Sequence, residues 1–236
     1  RPVRYILLSD GLLEMMDDAK IEAVFGHEAG HVKCRHIEFY LLFAVLSMLI
    51  VGGVMELIMR ADRQWPALSE QIPDLQAYLP VLATGMILLI WWLGFGAVSR
   101  QFELQADLFG ARSMTRTAQE CGMPCLVHQP PAISVDNEDV VLGEVVCASA
   151  AALFAEALNC IAALNGIPID AKGWRHSSIA HRMAQLRDYA VRPGAAAWLD
   201  TKVLIIKASL LAGTVAGLLI ALLIYSPHLH EWRWGP

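Results

Sequence analysis

The chain has 236 residues, 56% of them hydrophobic and 17% charged, with 18 Lys and Arg against 23 Asp and Glu for a formal charge of -5. An ordinary soluble domain is about 45–50% apolar and about 25% charged, and a mean hydropathy of +0.46 sets this chain apart from that class. Intrinsic disorder, collagen-like repeats and a basic nucleic-acid binder are excluded.

In chain order, residues 3–8 are rich in Val, Ile, Leu and Tyr and run into Ser9-Asp10-Gly11, which reads as a strand closed by a turn. Leu12, Leu13, Met16, Ile21, Val24 and Phe25 then recur at helical spacing, with Asp17 and Asp18 placed as caps of a helix from about Ala19. That helix carries His27-Glu28-Ala29-Gly30-His31. Two histidines four apart share one helical face and offer two imidazoles to one ion, as zinc requires. Glu28 stands beside the first of them, placed to act as general base on a water that the ion acidifies. The competing reading is an amphipathic helix with solvated histidines. His36, five residues past His31, is expected off the shared face, at the surface near the lipid headgroups.

Three uncharged runs follow: residues 39–55, 75–99 and 208–229, of 17, 25 and 22 residues. A bilayer core of about 30 Å takes about 20 apolar helical residues, so each reads as a membrane span. The chain divides accordingly into a strand and zinc helix (1–38), a transmembrane helix (39–59), an outside loop (60–74) and a second transmembrane helix (75–99). The second half of the catalytic domain (100–203), a third transmembrane helix (204–229) and a tail (230–236) complete it. Arg1 in place of Met, with no cleavage-site pattern before the first run, reads as a start inside a longer protein without a signal peptide. Five Lys and Arg precede the first span and ten lie between the second and third, against two in the 60–74 loop and one in the tail. Positive residues stay on the cytoplasmic side, so both large polar segments are expected there. The HExxH motif precedes the first span, which excludes an intramembrane protease.

Two histidines leave a catalytic zinc one protein ligand short. After the second span comes Arg100-Gln101-Phe102-Glu103-Leu104-Gln105-Ala106-Asp107, a helical stretch with Arg100, Glu103 and Asp107 on one face. Glu103 is the candidate third ligand: 72 residues from His31 along the chain, it returns to the same membrane side through the hairpin. Asp107, one turn on, can accept the N–H of a ligating imidazole. The plain alternative is a charged face paired with Arg100 and Arg112.

HExxH, a membrane hairpin, then ExxAD as Glu103-Leu104-Gln105-Ala106-Asp107 resembles the membrane zinc metalloprotease family of the bacterial heat-shock protease HtpX and the CAAX prenyl endopeptidases. Residues 6–32 are similar to that family's strand, turn and zinc helix. Residues 176–186 (HSSIAHRMAQL) resemble its His-Pro segment with an Arg six residues on, here His176 and Arg182, with Ser177 where the family usually has Pro. The resemblance implies a mainly α integral membrane protein with a zincin-type (gluzincin) catalytic domain, a small β element and one Zn2+ per chain. It makes His176 and Arg182 candidate catalytic residues that stabilise an oxyanion or position Asp107 and Glu103; a helix-start His and a salt-bridged Arg are equally open.

Residues 117–148 read as an irregular loop with short strands at 132–135 and 140–146. The five cysteines are an odd number without framework spacing, which argues against a disulfide scaffold. Cys121, Cys125 and His128 offer only part of a metal pattern, and thiols in a reducing compartment are the preferred reading. Residues 148–165 form a helix by their Ala/Leu periodicity, stopped by Gly166 and Pro168. Gly213 and Gly217 give the last span a small-residue packing surface.

The expected function is a membrane zinc endopeptidase with a polypeptide substrate, a lipid bilayer and no nucleic acid as partners, its oligomeric state left open. By resemblance to HtpX it degrades misfolded or damaged membrane proteins, from a bacterial inner (plasma) membrane with the site facing the cytoplasm. Substrate is expected to lie extended, pairing with the strand at 3–8. A proteolytically inactive zinc-binding scaffold and a metal sensor or transporter are the rivals.

Overall fold

The computed structural model describes residues 9–64, 75–117, 121–123, 125–128 and 146–231. The strand expected at 3–8 lies outside these residues, as do the short strands expected in the 117–148 segment, except for Val146, which sits in no regular element. Among the described residues there is no strand, and the protein is mainly helical.

Ser9 opens a short helix, α1 (Asp10–Met15), where a turn was expected at Asp10-Gly11. The reason is local: the Leu12 and Leu13 N–H groups both donate to the Ser9 carbonyl, and Asp10 sits at the positive end of the helix dipole. Helix α2 (Asp18–Lys33) is capped by Asp17, whose carboxylate accepts the Lys20 N–H at 2.9 Å. Its buried residues, Ala23, Gly26 and Gly30, form a stripe without bulk at helical spacing. The helix stops at Arg35, which adopts φ 60, and the chain turns directly into α3 (His36–Gln64).

The rest comprises α4 (Leu75–Ile90), a π-helical turn (Trp91–Phe95), α5 (Gly96–Thr117), α6 (Ala148–Leu164), α7 (Ile179–Val191) and α8 (Pro193–Glu231). Among the described residues, three helices are long and apolar enough to cross a membrane: His36–Gln64, Ala77–Thr115 and Gly194–Ile224.

Residues 1–36 and 98–204 make up one compact unit, and residues 37–97 and 205–236 another. In the second unit, α8 meets α3 at its small residues. A Cβ on Gly213 would lie 3.2 Å from Leu46 Cδ2, and one on Gly217 3.0 Å from Leu49 Cδ1. The small-residue surface of the last span is thus used within the chain. Leu41, Met48, Leu88, Trp92, Leu219 and Leu223 point outward and are largely exposed, as side chains facing lipid must be.

In the first unit, α6 is the central element. Ala150, Ala151, Phe154, Ala155, Ala157, Leu158 and Ala162 are buried, and α6 packs on both α2 and α7. Phe154, Leu186, Tyr189, Phe102 and Leu108 form the bulk of the core, each contributing about 1.5–3 kcal/mol through burial. Gly166, at φ 62, ends α6 in the left-handed conformation that closes many helices, and the Ile167 N–H returns to the Ala162 carbonyl. Helix α7 starts at Ser178, whose hydroxyl accepts the His181 N–H.

Candidate active site

Close approach of two backbones assembles the site. A Cβ on Gly30 would come 3.0 Å from Ala106 Cα, and one on Gly26 would come 3.1 Å from Gly110 Cα. Helices α2 and α5 therefore touch through Gly26, Gly30, Ala106 and Gly110. That contact sets the HEAGH turn against the ExxAD turn.

His27, His31 and Glu103 consequently bring their donor atoms within 4.8 Å of one another. The two Nε2 atoms are 3.2 Å apart, and the Glu103 carboxylate stands 3.7 Å from each of them, through Oε2 to His27 and Oε1 to His31. Glu103 is 7% exposed, so its charge has little water to rely on.

The hydrogen-bond network fixes where the imidazole protons lie. Asp107, fully buried, accepts from His27 Nδ1 at 2.8 Å. At His31 the partner is His36: the two Nδ1 atoms are 2.9 Å apart, and His36 Nε2 donates to Gln105 Oε1 at 3.0 Å. Gln105 is itself oriented by Asp200, which accepts from its Nε2 and from Arg112. With its Nε2 proton on Gln105, His36 can offer its Nδ1 lone pair to the His31 Nδ1–H, the tautomer that a metal-ligating His31 requires. Both Nε2 lone pairs then face the same point, opposite a carboxylate. Two lone pairs at 3.2 Å repel unless a cation lies between them.

The donor set fits a divalent metal. A tetrahedral zinc with nitrogen ligands at about 2.0–2.1 Å separates them by about 3.3 Å, close to the spacing of the two imidazoles. Burial, and then the neighbouring His27, push the His31 pKa down to about 4, so the ring is neutral at physiological pH, as a ligand must be.

Arg182, on α7, spans both Asp107 oxygens, with Nε at 2.7 Å from Oδ2 and Nη2 at 2.5 Å from Oδ1, and its Nη1 reaches Glu103 at 3.8 Å. Burial works against its charge, but Asp107 and then Glu103 hold its pKa above the ordinary arginine value. His176, on the loop before α7, is half exposed and places Nδ1 3.4 Å from Glu103 Oε2. Glu28 lies on the exposed side of α2, one residue from His27.

His27, His31, Glu103, Asp107, Arg182 and His176 are thus in one cluster, whereas Arg100 and Arg112 lie outside it and Cys121, Cys125 and His128 form another. Arg100 donates to the Trp174 carbonyl, and Arg112 pairs with Asp200. His36 differs from its expected place: it is fully buried, stacked on Phe102 with ring centroids 4.3 Å apart, and bonded to His31. The left-handed Arg35 turns the chain back, so the helical angle between residues 31 and 36 does not apply. His36 and Gln105 are the residues that sequence reasoning missed. The one available signal was a third His next to a helix end, which is weak by itself.

Two imidazoles and a buried carboxylate converging on one point make a candidate metal site in an integral membrane protein with three long apolar helices among its described residues. Residues 1–189 match peptidase family M48, and the chain belongs to that family of metallopeptidases. It is also similar to a protease HtpX homolog of Archaeoglobus fulgidus, with 30% identity over 120 residues that make up 50% of this chain and 33% of the relative. The chain thus spans about a third of the length of the curated relative it matches. No solved structure matches.

Proposed function

We propose that this chain is a membrane-bound zinc endopeptidase of the gluzincin type that hydrolyses misfolded or damaged membrane proteins. One observation carries the reading: His27, His31 and buried Glu103, from helices far apart in sequence, bring their donor atoms within 4.8 Å of one another.

His27, His31 and Glu103 would hold one Zn2+ ion, which supplies Lewis acidity for polarising a peptide carbonyl and acidifying water. Glu28, exposed and adjacent to His27, takes the proton from the attacking water and passes it to the leaving amine. Asp107 keeps the proton of His27 on Nδ1, and His36 does the same for His31. Arg182 is a positioning residue: its bidentate hold on Asp107 fixes the carboxylate that in turn fixes His27. His176, half exposed beside Glu103, faces the space a substrate carbonyl would occupy and is placed to donate to the oxyanion.

The Lys and Arg distribution supports a plasma-membrane protein with the site on the cytoplasmic face and the 60–74 loop outside. Quality control of membrane proteins rests on the likeness to the HtpX homolog. The metal-transporter alternative would want ionisable residues in mid-span, whereas Glu56, toward the end of the first apolar helix, is tied to Arg60 and Arg63.

The test is cleavage by the purified full chain in detergent of an unfolded membrane protein against its folded form. The reading requires preference for the unfolded form, loss with a chelator and recovery with zinc. A metal-loaded protein that cleaves neither form would favour the scaffold.

A further inference from the structure

A second cluster shares no residue with the first. Cys121, Cys125, His128 and Cys147 bring three sulfurs and one imidazole nitrogen within 4.8 Å of one another. Cys121 and Cys147 have their Sγ atoms 3.4 Å apart, and Cys125 Sγ lies 3.8 Å from His128 Nδ1. A tetrahedral zinc with sulfur at about 2.3 Å and nitrogen at about 2.0–2.1 Å gives edges of about 3.8 Å between sulfurs and about 3.5 Å between sulfur and nitrogen. The two separations lie within about 0.4 Å of these edges, and no disulfide links the residues.

Donor groups surround two of the sulfurs, while the Met123 carbonyl oxygen stands 3.3 Å from Cys121 Sγ. Cys125 Sγ accepts two backbone N–H groups, from Val127 and from Ala148, each at 3.4 Å. Cys121 Sγ lies 3.1 Å from the Ser149 hydroxyl. Such donors around sulfur are the outer contacts of a metal-thiolate site. The sequence pattern alone hid the set: Cys121, Cys125 and His128 cluster within eight residues, whereas Cys147 comes 26 residues after Cys121. Cys147 is the N-cap residue of α6, and its N–H donates to Thr115 Oγ1 in the last turn of α5.

We propose that Cys121, Cys125, His128 and Cys147 form a second zinc site, closed by four protein ligands, that joins the end of α5 to the start of α6. Four protein ligands leave no open position, so the site is structural. Its role is to hold α5, which carries Glu103 and Asp107, against the core helix α6.

Metal content of the full chain, purified in detergent with a reductant, tests this. The Cys121→Ser/Cys147→Ser variant should hold one zinc fewer than the wild type. The His27→Ala/His31→Ala variant should also hold one fewer, and the four together none. Should the cysteine variant fail to fold, cobalt-loaded wild type decides: three thiolate ligands give an intense sulfur-to-cobalt charge-transfer band, retained in His27→Ala/His31→Ala. The proposal is overturned if the His27→Ala/His31→Ala variant is metal-free, if cobalt-loaded wild type lacks the sulfur band, or if the reduced protein maps with a Cys121–Cys147 disulfide. Failure at the first cluster alone would leave the cysteine-bound zinc in place and count only against the peptidase reading.

Discussion

Gly30→Ala adds one methyl group at the contact that assembles the active site. Its Cβ would stand 3.0 Å from Ala106 Cα, 3.1 Å from the Ala106 carbonyl oxygen and 3.3 Å from Phe109 Cβ. Carbon atoms pack best at about 3.5–4.0 Å, so α2 and α5 must separate by about 0.5–1 Å. Overpacking of this kind costs about 1–3 kcal/mol, and the better helix propensity of Ala returns about 1 kcal/mol. The net loss of stability is therefore about 0–2 kcal/mol. The effect on the site is larger than that suggests, because His27 and His31 move with α2 while Glu103 stays on α5, and ligand distances tolerate about 0.2 Å. Zinc affinity should fall at least tenfold with only a modest change in melting temperature, measured by competition with a chromogenic chelator and by thermal unfolding in detergent. Gly11→Ala is the control, since nothing lies within 4 Å of a Cβ there. Wild-type zinc affinity in Gly30→Ala would refute the close-approach reasoning.

Arg182→Met leaves Asp107 buried and without its bidentate partner, which should cost about 3–5 kcal/mol; a melting temperature equal to wild type would show that the pair is not buried. His36→Phe keeps the ring packed on Phe102 but removes the acceptor for His31, so zinc affinity should fall about 10–100-fold, with unchanged affinity counting against the relay. In chelator-treated protein His31 titrates at about 4 in the folded state against 6.5 for the ordinary group. The folded state thus binds fewer protons, its stability is complete above pH 6.5, and it declines as pH falls toward 4, by up to about 3 kcal/mol. Denaturant midpoints between pH 7.5 and 4.5 should show that slope and His31→Gln should flatten it; an equal slope in the variant would exclude His31 as its source.

What was legible in the sequence was chemistry at helical spacing. His27, Glu28 and His31 lie within five residues of one helix, and Glu103 and Asp107 one turn apart on another, so periodicity alone places each set on a face. The membrane hairpin made a ligand 72 residues away reasonable. Arg182 and His176 entered only through family likeness, since no spacing rule connects α7 to α5. His36 was misplaced because a single left-handed residue, Arg35, redirects the chain. Cys147 went unnoticed because it joins its partners across a long connection. Gly26, Gly30, Ala106 and Gly110 mark a close helix contact only once both helices are known to meet, although both motifs contain one of these small residues.

The most direct test of the peptidase assignment is Glu28→Gln in the full chain, with zinc content and cleavage of an unfolded membrane substrate measured on the same sample. The site geometry predicts wild-type zinc content and a loss of cleavage of about 10²–10⁴-fold, the usual contribution of a general base. Cleavage at the wild-type rate by zinc-loaded Glu28→Gln would contradict the role of Glu28 and, with it, the mechanism built on this site.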